Sequence, residues 1–82
     1  MPKIPRNITG RELIKLLSRY DYRISRERGS HIRISSNFMG SDHNLTIPDH
    51  RPIKIGTLNN ILKDISDYLK ISKQALVEKL FE

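Results

Sequence analysis

Apolar residues follow two different rhythms along this chain, and the change of rhythm divides it. Leu13, Leu16, Leu17 and Tyr20 recur at i, i+3, i+4 and i+7, the spacing of an amphipathic helix. Thr9 and Glu12 precede that stripe as a T-x-x-E capping box, with Ile8 and Leu13 as its hydrophobic staple. Residues 1–8, which contain Pro2 and Pro5, oppose helix and read as a flexible arm.

From Tyr22 the period falls to two. Tyr22 and Ile24 alternate with Arg23 and Ser25. Ile32 and Ile34 alternate with His31, Arg33 and Ser35, and Leu45 and Ile47 alternate with Asn44 and Thr46. This pattern predicts three short antiparallel strands with one apolar face and one polar face. The first two strands join near Arg28-Gly29-Ser30, and the polar loop "NFMGSDH" joins the second to the third. Pro48 ends the third strand, since proline cannot donate to a ladder.

Helical spacing returns with Leu58, Ile61, Leu62, Ile65 and Leu69, and Thr57 is the expected cap. Ser72 opens a last short helix over 72–82, with Ile71 and Leu76 as staple and Val77, Leu80 and Phe81 on its apolar side. The expected architecture is α+β: a three-stranded antiparallel sheet, packed on one face by helices, in the order α-β-β-β-α plus the C-terminal helix. With 82 residues this is one small domain, 1–82, whose modest core argues against a deep substrate cavity.

The uncovered sheet face displays Arg23, Ser25, His31, Arg33, Asn44 and Thr46 by alternation. Charge adds weight to that face. The net charge is +6, and residues 1–35 carry all of it: nine Lys/Arg against three Asp/Glu, whereas residues 36–82 hold six of each. Such a one-sided basic field attracts polyanions, nucleic acid first. There is no cysteine, so disulfides, thiolate metal sites and cysteine nucleophiles are excluded, in keeping with a reducing compartment. No apolar run approaches membrane-spanning length, and the expected setting is soluble and cytoplasmic.

His31 is the residue whose chemistry is open. It follows Gly29-Ser30 directly and begins the second strand among arginines. It fits an ordinary polar strand residue, a nucleic-acid contact or a catalyst. Arg23 and Arg33 share its face as phosphate contacts. Arg26 and Arg28 fall at the hairpin, where long-range attraction is their expected role. Gly29 allows positive φ and leaves room for a backbone to approach, while Ser30 offers a hydroxyl, although both also suit a plain turn. Lys54 and Arg51 flank the start of the second long helix, where free N–H groups favour anions. His43 lies in a loop without motif support, and His50 suits a structural role. The three histidines with Asp42 and Asp49 lack metal-ligand spacing, so no metal or other cofactor is expected.

These residues in this order resemble the HicA family of toxins from HicA–HicB toxin–antitoxin systems. "RERGSHIRIS" is similar to the family's Arg-x-x-Gly-Ser-His element, and "LTIPDH" to its strand ending in Pro-x-His. "IKIGTLNNILKDI" resembles its Gly-Thr-Leu helix start, "PRNITGRELIKLL" its first helix and "ISKQALVEKLF" its tail. Asp21 stands where the family often has glycine. The helix start "GTLNNILKD" lacks the lysine cluster of true double-stranded-RNA-binding domains.

The resemblance implies a fold like the double-stranded-RNA-binding domain. It implies a metal-independent endoribonuclease that cleaves mRNA, with His31 as general base on the ribose 2′-OH. Substrate contacts are then expected from Gly29, Ser30, Arg23, Arg33 and Lys54, and the resemblance implies a HicB-type antitoxin that masks the active face. The alternative is a non-catalytic RNA-binding module of the same fold. The acid that protonates the leaving oxygen stays open between water, Ser30 and a second histidine.

Overall fold

The computed structural model describes residues 4–81, and Met1–Lys3 and Glu82 lie outside the described residues. Helix α1 (Gly10–Leu17) continues into a 3₁₀ turn at Ser18–Tyr20, followed by β1 (Arg23–Arg28), β2 (His31–Ser36), β3 (His43–Pro48), α2 (Ile55–Leu69) and α3 (Lys73–Phe81). The strands form one antiparallel sheet in the order β1-β2-β3, so the strand that carries His31 is central.

The capping box at the start of α1 is complete. Thr9 Oγ1 accepts from the Glu12 amide at 3.1 Å, and Glu12 Oε1 accepts from the Thr9 amide at 2.9 Å. The two staple residues, Ile8 and Leu13, are both buried. Of the expected arm, Ile8 belongs to the core and Ile4 packs partly against it. The Ile8 carbonyl accepts from the Ile53 amide at 2.9 Å, which ties the segment down. After the 3₁₀ turn, Asp21 adopts φ 63°, ψ 20°. This left-handed conformation favours glycine, and aspartate is among the few other residues that tolerate it.

Along β2 and β3 the alternation is regular. Ile32, Ile34, Leu45 and Ile47 point inward and are buried. They meet Leu13 and Leu17 of α1, Leu58, Leu62 and Ile65 of α2, and Leu76 of α3 in one core. One sheet face is therefore covered, and the other is open. Three boundaries differ from expectation. Strand β1 begins at Arg23 rather than Tyr22, and β3 begins at His43, paired to Ser36. Helix α2 begins at Ile55, two residues before the expected cap Thr57, with Lys54 as the N-cap. There the Lys54 carbonyl accepts the first bond of the helix from the Leu58 amide at 2.9 Å, and no side chain caps the start. Buried Ile53 and Leu58 hold the entry angle as a staple, so no Ser or Thr is required.

Candidate functional site

The hairpin between β1 and β2 is closed by only Gly29 and Ser30, because Arg28 and His31 are paired directly. Gly29 has φ +58°, and a Cβ there would meet nothing within 4 Å. Glycine is favoured at this position by backbone conformation, as the first central residue of a two-residue hairpin turn. The Ser30 carbonyl accepts from the Asp49 amide at 2.7 Å. That bond joins the hairpin to the segment that leaves β3. His31 is then flanked by Arg28 on one side and Pro48 on the other, with its side chain exposed on the open face. Directly opposed residues in such a ladder have Cβ atoms about 5 Å apart, within reach of one shared ligand group.

A β-bulge changes which arginines join it. The register shifts between Ile24 and Arg26, so that Ile24 opposes Ile34 but Arg26 opposes Arg33. Ser25 is the extra residue, and its hydroxyl donates to the Arg33 carbonyl at 3.2 Å. A bulge flips the phase of alternation beyond it. Arg26 and Arg28 therefore stand on the open face as ladder partners of Arg33 and His31, which corrects their expected place as loose hairpin residues. Strict alternation would have turned both guanidiniums toward the core, and the cost of burying them was the signal available in the sequence.

The open face consequently carries Arg23, Arg26, Arg28, Arg33 and His31, with Ser35, Asn44 and Thr46 between them. It carries no carboxylate from the three strands. Glu27, their single acid, opposes buried Ile32 and so faces the helices. Its Oε1 accepts from Arg11 at 2.5 Å, and Asp49 lies 3.4 Å from the same guanidinium. The hydrogen bond and charge of Glu27 raise the Arg11 pKa above its ordinary value. Arg11 thus neutralises the acids nearest the site. Arg19 donates to the Lys79 carbonyl. Two basic side chains of the first helix and its 3₁₀ turn, Arg11 and Arg19, are thus engaged within the chain.

The remaining expected residues are dispersed. Lys54 is exposed at the α2 N-terminus, and Arg51 is exposed before it. His50 has an exposed side chain, while its carbonyl accepts from the Gly10 amide at 3.1 Å. His43 is not a free loop residue. It opens β3 with its side chain 15 % exposed, and its Nδ1 lies 2.7 Å from the Tyr22 hydroxyl. Its Nε2 lies 3.2 Å from Asp64 Oδ1, and its ring stacks on Tyr68 at 4.6 Å. Tyr68 also donates to the Ser41 carbonyl at 2.5 Å and accepts from the Met39 amide at 2.9 Å. This cluster pins the β2–β3 loop to α2. Ser36, the partner of His43, is five residues along β2 from His31, about 17 Å. His43 is therefore too far away to exchange a proton with His31. No group of three or more His, Cys, Asp or Glu stands together as a metal site among the described residues. Among them no helix is long and apolar enough to cross a membrane.

Comparison with known proteins agrees with this geometry in one respect. The family model described as "HicA toxin of bacterial toxin-antitoxin" matches residues 10–66, more than half of the chain. That span runs from the first residue of α1 into α2 and includes the whole sheet. No significant match is found among curated proteins or solved structures.

Proposed function

Because the chain belongs to the HicA family of bacterial toxin–antitoxin toxins, we propose that it is an endoribonuclease that cleaves mRNA with His31 as general base. One observation carries the reading: the exposed His31 imidazole stands beside Arg28, on a strand face with four arginines and no carboxylate from the strands themselves. A neutral imidazole can accept the ribose 2′-OH proton at cellular pH, since its ordinary pKa is near ~6.5. The freed oxygen attacks the adjacent phosphorus. The products are a 2′,3′-cyclic phosphate and a 5′-hydroxyl. Arg28 and Arg33 are placed to stabilise charge on the phosphoryl oxygens. Solvent reaches this flat face freely and supplies the proton for the leaving oxygen. Gly29, Ser30, Arg23 and Lys54 remain binding candidates, with Lys54 the most peripheral.

The route uses the substrate's own nucleophile and no metal-ion step. A HicB-type antitoxin of acidic surface would quench the toxin by covering the arginine face. With mRNA as substrate, the work belongs in the cytoplasm. An in vitro cleavage assay with chelator present, comparing the wild type with His31→Ala, tests the reading. Cleavage is expected from the wild type and should fall to background in the variant. RNA binding without cleavage by either protein would instead mark a non-catalytic module.

A further inference from the structure

Arg11 of α1 reaches two acids that flank His31 from opposite sides. Its Nη2 donates to Glu27 Oε1 at 2.5 Å and lies 3.4 Å from Asp49 Oδ2. Glu27 precedes Arg28, the β1 partner of His31, and Asp49 follows Pro48, its β3 partner. One guanidinium therefore joins the residues next to both ladder partners of the histidine. β1 and β3 are not neighbours, because β2 runs between them. Two strand spacings of about 4.8 Å separate them, and Arg11 bridges that gap from the side of the helices.

This end of the sheet has few other ties. His31 is the first residue of β2, and Pro48 opposite it has no N–H to give to the ladder. Beyond that pair one backbone bond continues the pairing, from the Asp49 amide to the Ser30 carbonyl at 2.7 Å. Every residue of β1 is exposed, so that strand relies on its pairing with β2. An imidazole that must meet a 2′-OH tolerates little drift, since a misplacement of about 1 Å can cost up to 10²-fold in rate.

We infer that Arg11 is a positioning residue for the cleavage reaction: it straps β1 to the exit of β3 behind His31 and so holds the imidazole between Arg28 and the end of β3. The inference deepens the ribonuclease reading and rests on it. Arg11 itself touches no substrate. Glu27 faces the helices, so the strap lies on the side of the sheet away from the arginines proposed to meet RNA. The Arg11 and Glu27 side chains are 49 % and 48 % exposed, and an ion pair so open to solvent adds little to global stability. Its effect is local, at the turn that carries His31.

The test compares the full chain with Arg11→Ala, Glu27→Ala and the double variant, all well below their melting temperatures. At saturating single-stranded RNA, the single-turnover cleavage rate should fall roughly three- to tenfold in each single variant. The double variant should fall no further, since both changes cut the same strap. The slope of log affinity against log salt should stay that of the wild type, because no phosphate contact is lost. Unchanged rates, or losses that add in the double variant, would overturn the strap. So would a shallower salt slope in Arg11→Ala, which would make Arg11 a phosphate contact. Hydrogen exchange at the Asp49 amide reads the strap without RNA. It should quicken in both single variants while the amide of Leu62, in the core of α2, keeps its wild-type rate. If the wild type cleaves no RNA, the ribonuclease reading fails, and this exchange decides the strap alone: quickened, it stands as the tie of the His31 turn; unchanged in both variants, it is overturned.

Discussion

Gly10 lies hard against Pro48: a Cβ on Gly10 would come within 2.2 Å of the Pro48 carbonyl oxygen and 3.1 Å of its carbon. The first residue of α1 thus rests on the end of β3, and Pro48 is the residue opposite His31. Gly10 also donates its amide to the His50 carbonyl at 3.1 Å. The absence of one side chain seats the helix beneath the candidate active site. Gly10→Ala should lose stability, because the obstruction is backbone and cannot rotate away. Overpacking of this kind costs up to about 3 kcal/mol, and the helix preference of alanine recovers at most about 1 kcal/mol. A net loss of about 2 kcal/mol should appear as a fall in Tm of roughly 10 °C by calorimetry. An unchanged Tm would show that the helix can slide off the strand end without penalty.

The capping box predicts an acid limb in the stability profile. The Thr9 amide, then the Thr9 hydroxyl, hold the Glu12 carboxyl below the ordinary glutamate value of 4.5. A carboxyl with a lowered folded-state pKa adds stability that is present above its unfolded value and is lost as pH falls through the folded value. Urea unfolding between pH 6 and pH 3, as a range about that value, should show this loss in the wild type and less of it in Thr9→Ala. Near neutral pH, Thr9→Ala should cost about 1 kcal/mol, as for other lost caps.

Tyr22 predicts the opposite limb. Burial, aided by the charges of Tyr68 and Asp64, pushes its phenol pKa well above the ordinary 10.0. A raised folded-state pKa adds stability that is full below the unfolded value and declines as pH rises beyond it. Tyr22→Phe should flatten stability above about pH 10. Below that it should cost about 1–3 kcal/mol, because the half-buried His43 Nδ1 loses its partner. Denaturant midpoints of both proteins on the alkaline side decide the point.

Much of this arrangement was legible before the fold was known, and what was not has identifiable causes. Thr9, Glu12 and Ser72 act through contacts three residues away, so their roles follow from spacing alone; the Ser72 hydroxyl accepts from the Ala75 amide at 3.0 Å. Period two placed His31 and Arg33 on the open face because β2 is central and regular. It is no guide to Arg26 and Arg28, which were expected at the hairpin, because one inserted residue, Ser25, reverses the phase and no single residue type announces a bulge. Thr57 is not the cap because the helix begins two residues before it, at a start that no capping side chain marks. His43 could not be read correctly at all. Its partners Tyr22 and Asp64 are each 21 residues away, and only the packed sheet and helix bring them together.

The bulge has a measurable consequence. If Arg26 and Arg28 face the substrate, each should carry one phosphate contact. Arg26→Ala and Arg28→Ala should each weaken RNA binding at every sequence and reduce the slope of log affinity against log salt by about 1. Lys63→Ala, exposed on α2 behind the sheet, should leave the slope unchanged. Equal slopes for all four proteins would mean that the nucleic acid does not lie on this face.

The central claim is that His31 takes the 2′-OH proton. The most direct measurement is the single-turnover rate of RNA cleavage by the wild type and by His31→Ala, with product ends identified. His31 is exposed, so its replacement should leave the circular dichroism spectrum intact. The account predicts a fall of about 10²–10⁴-fold, the worth of a general base, with 2′,3′-cyclic phosphate and 5′-hydroxyl ends from the wild type. Cleavage by His31→Ala at the wild-type rate would contradict it.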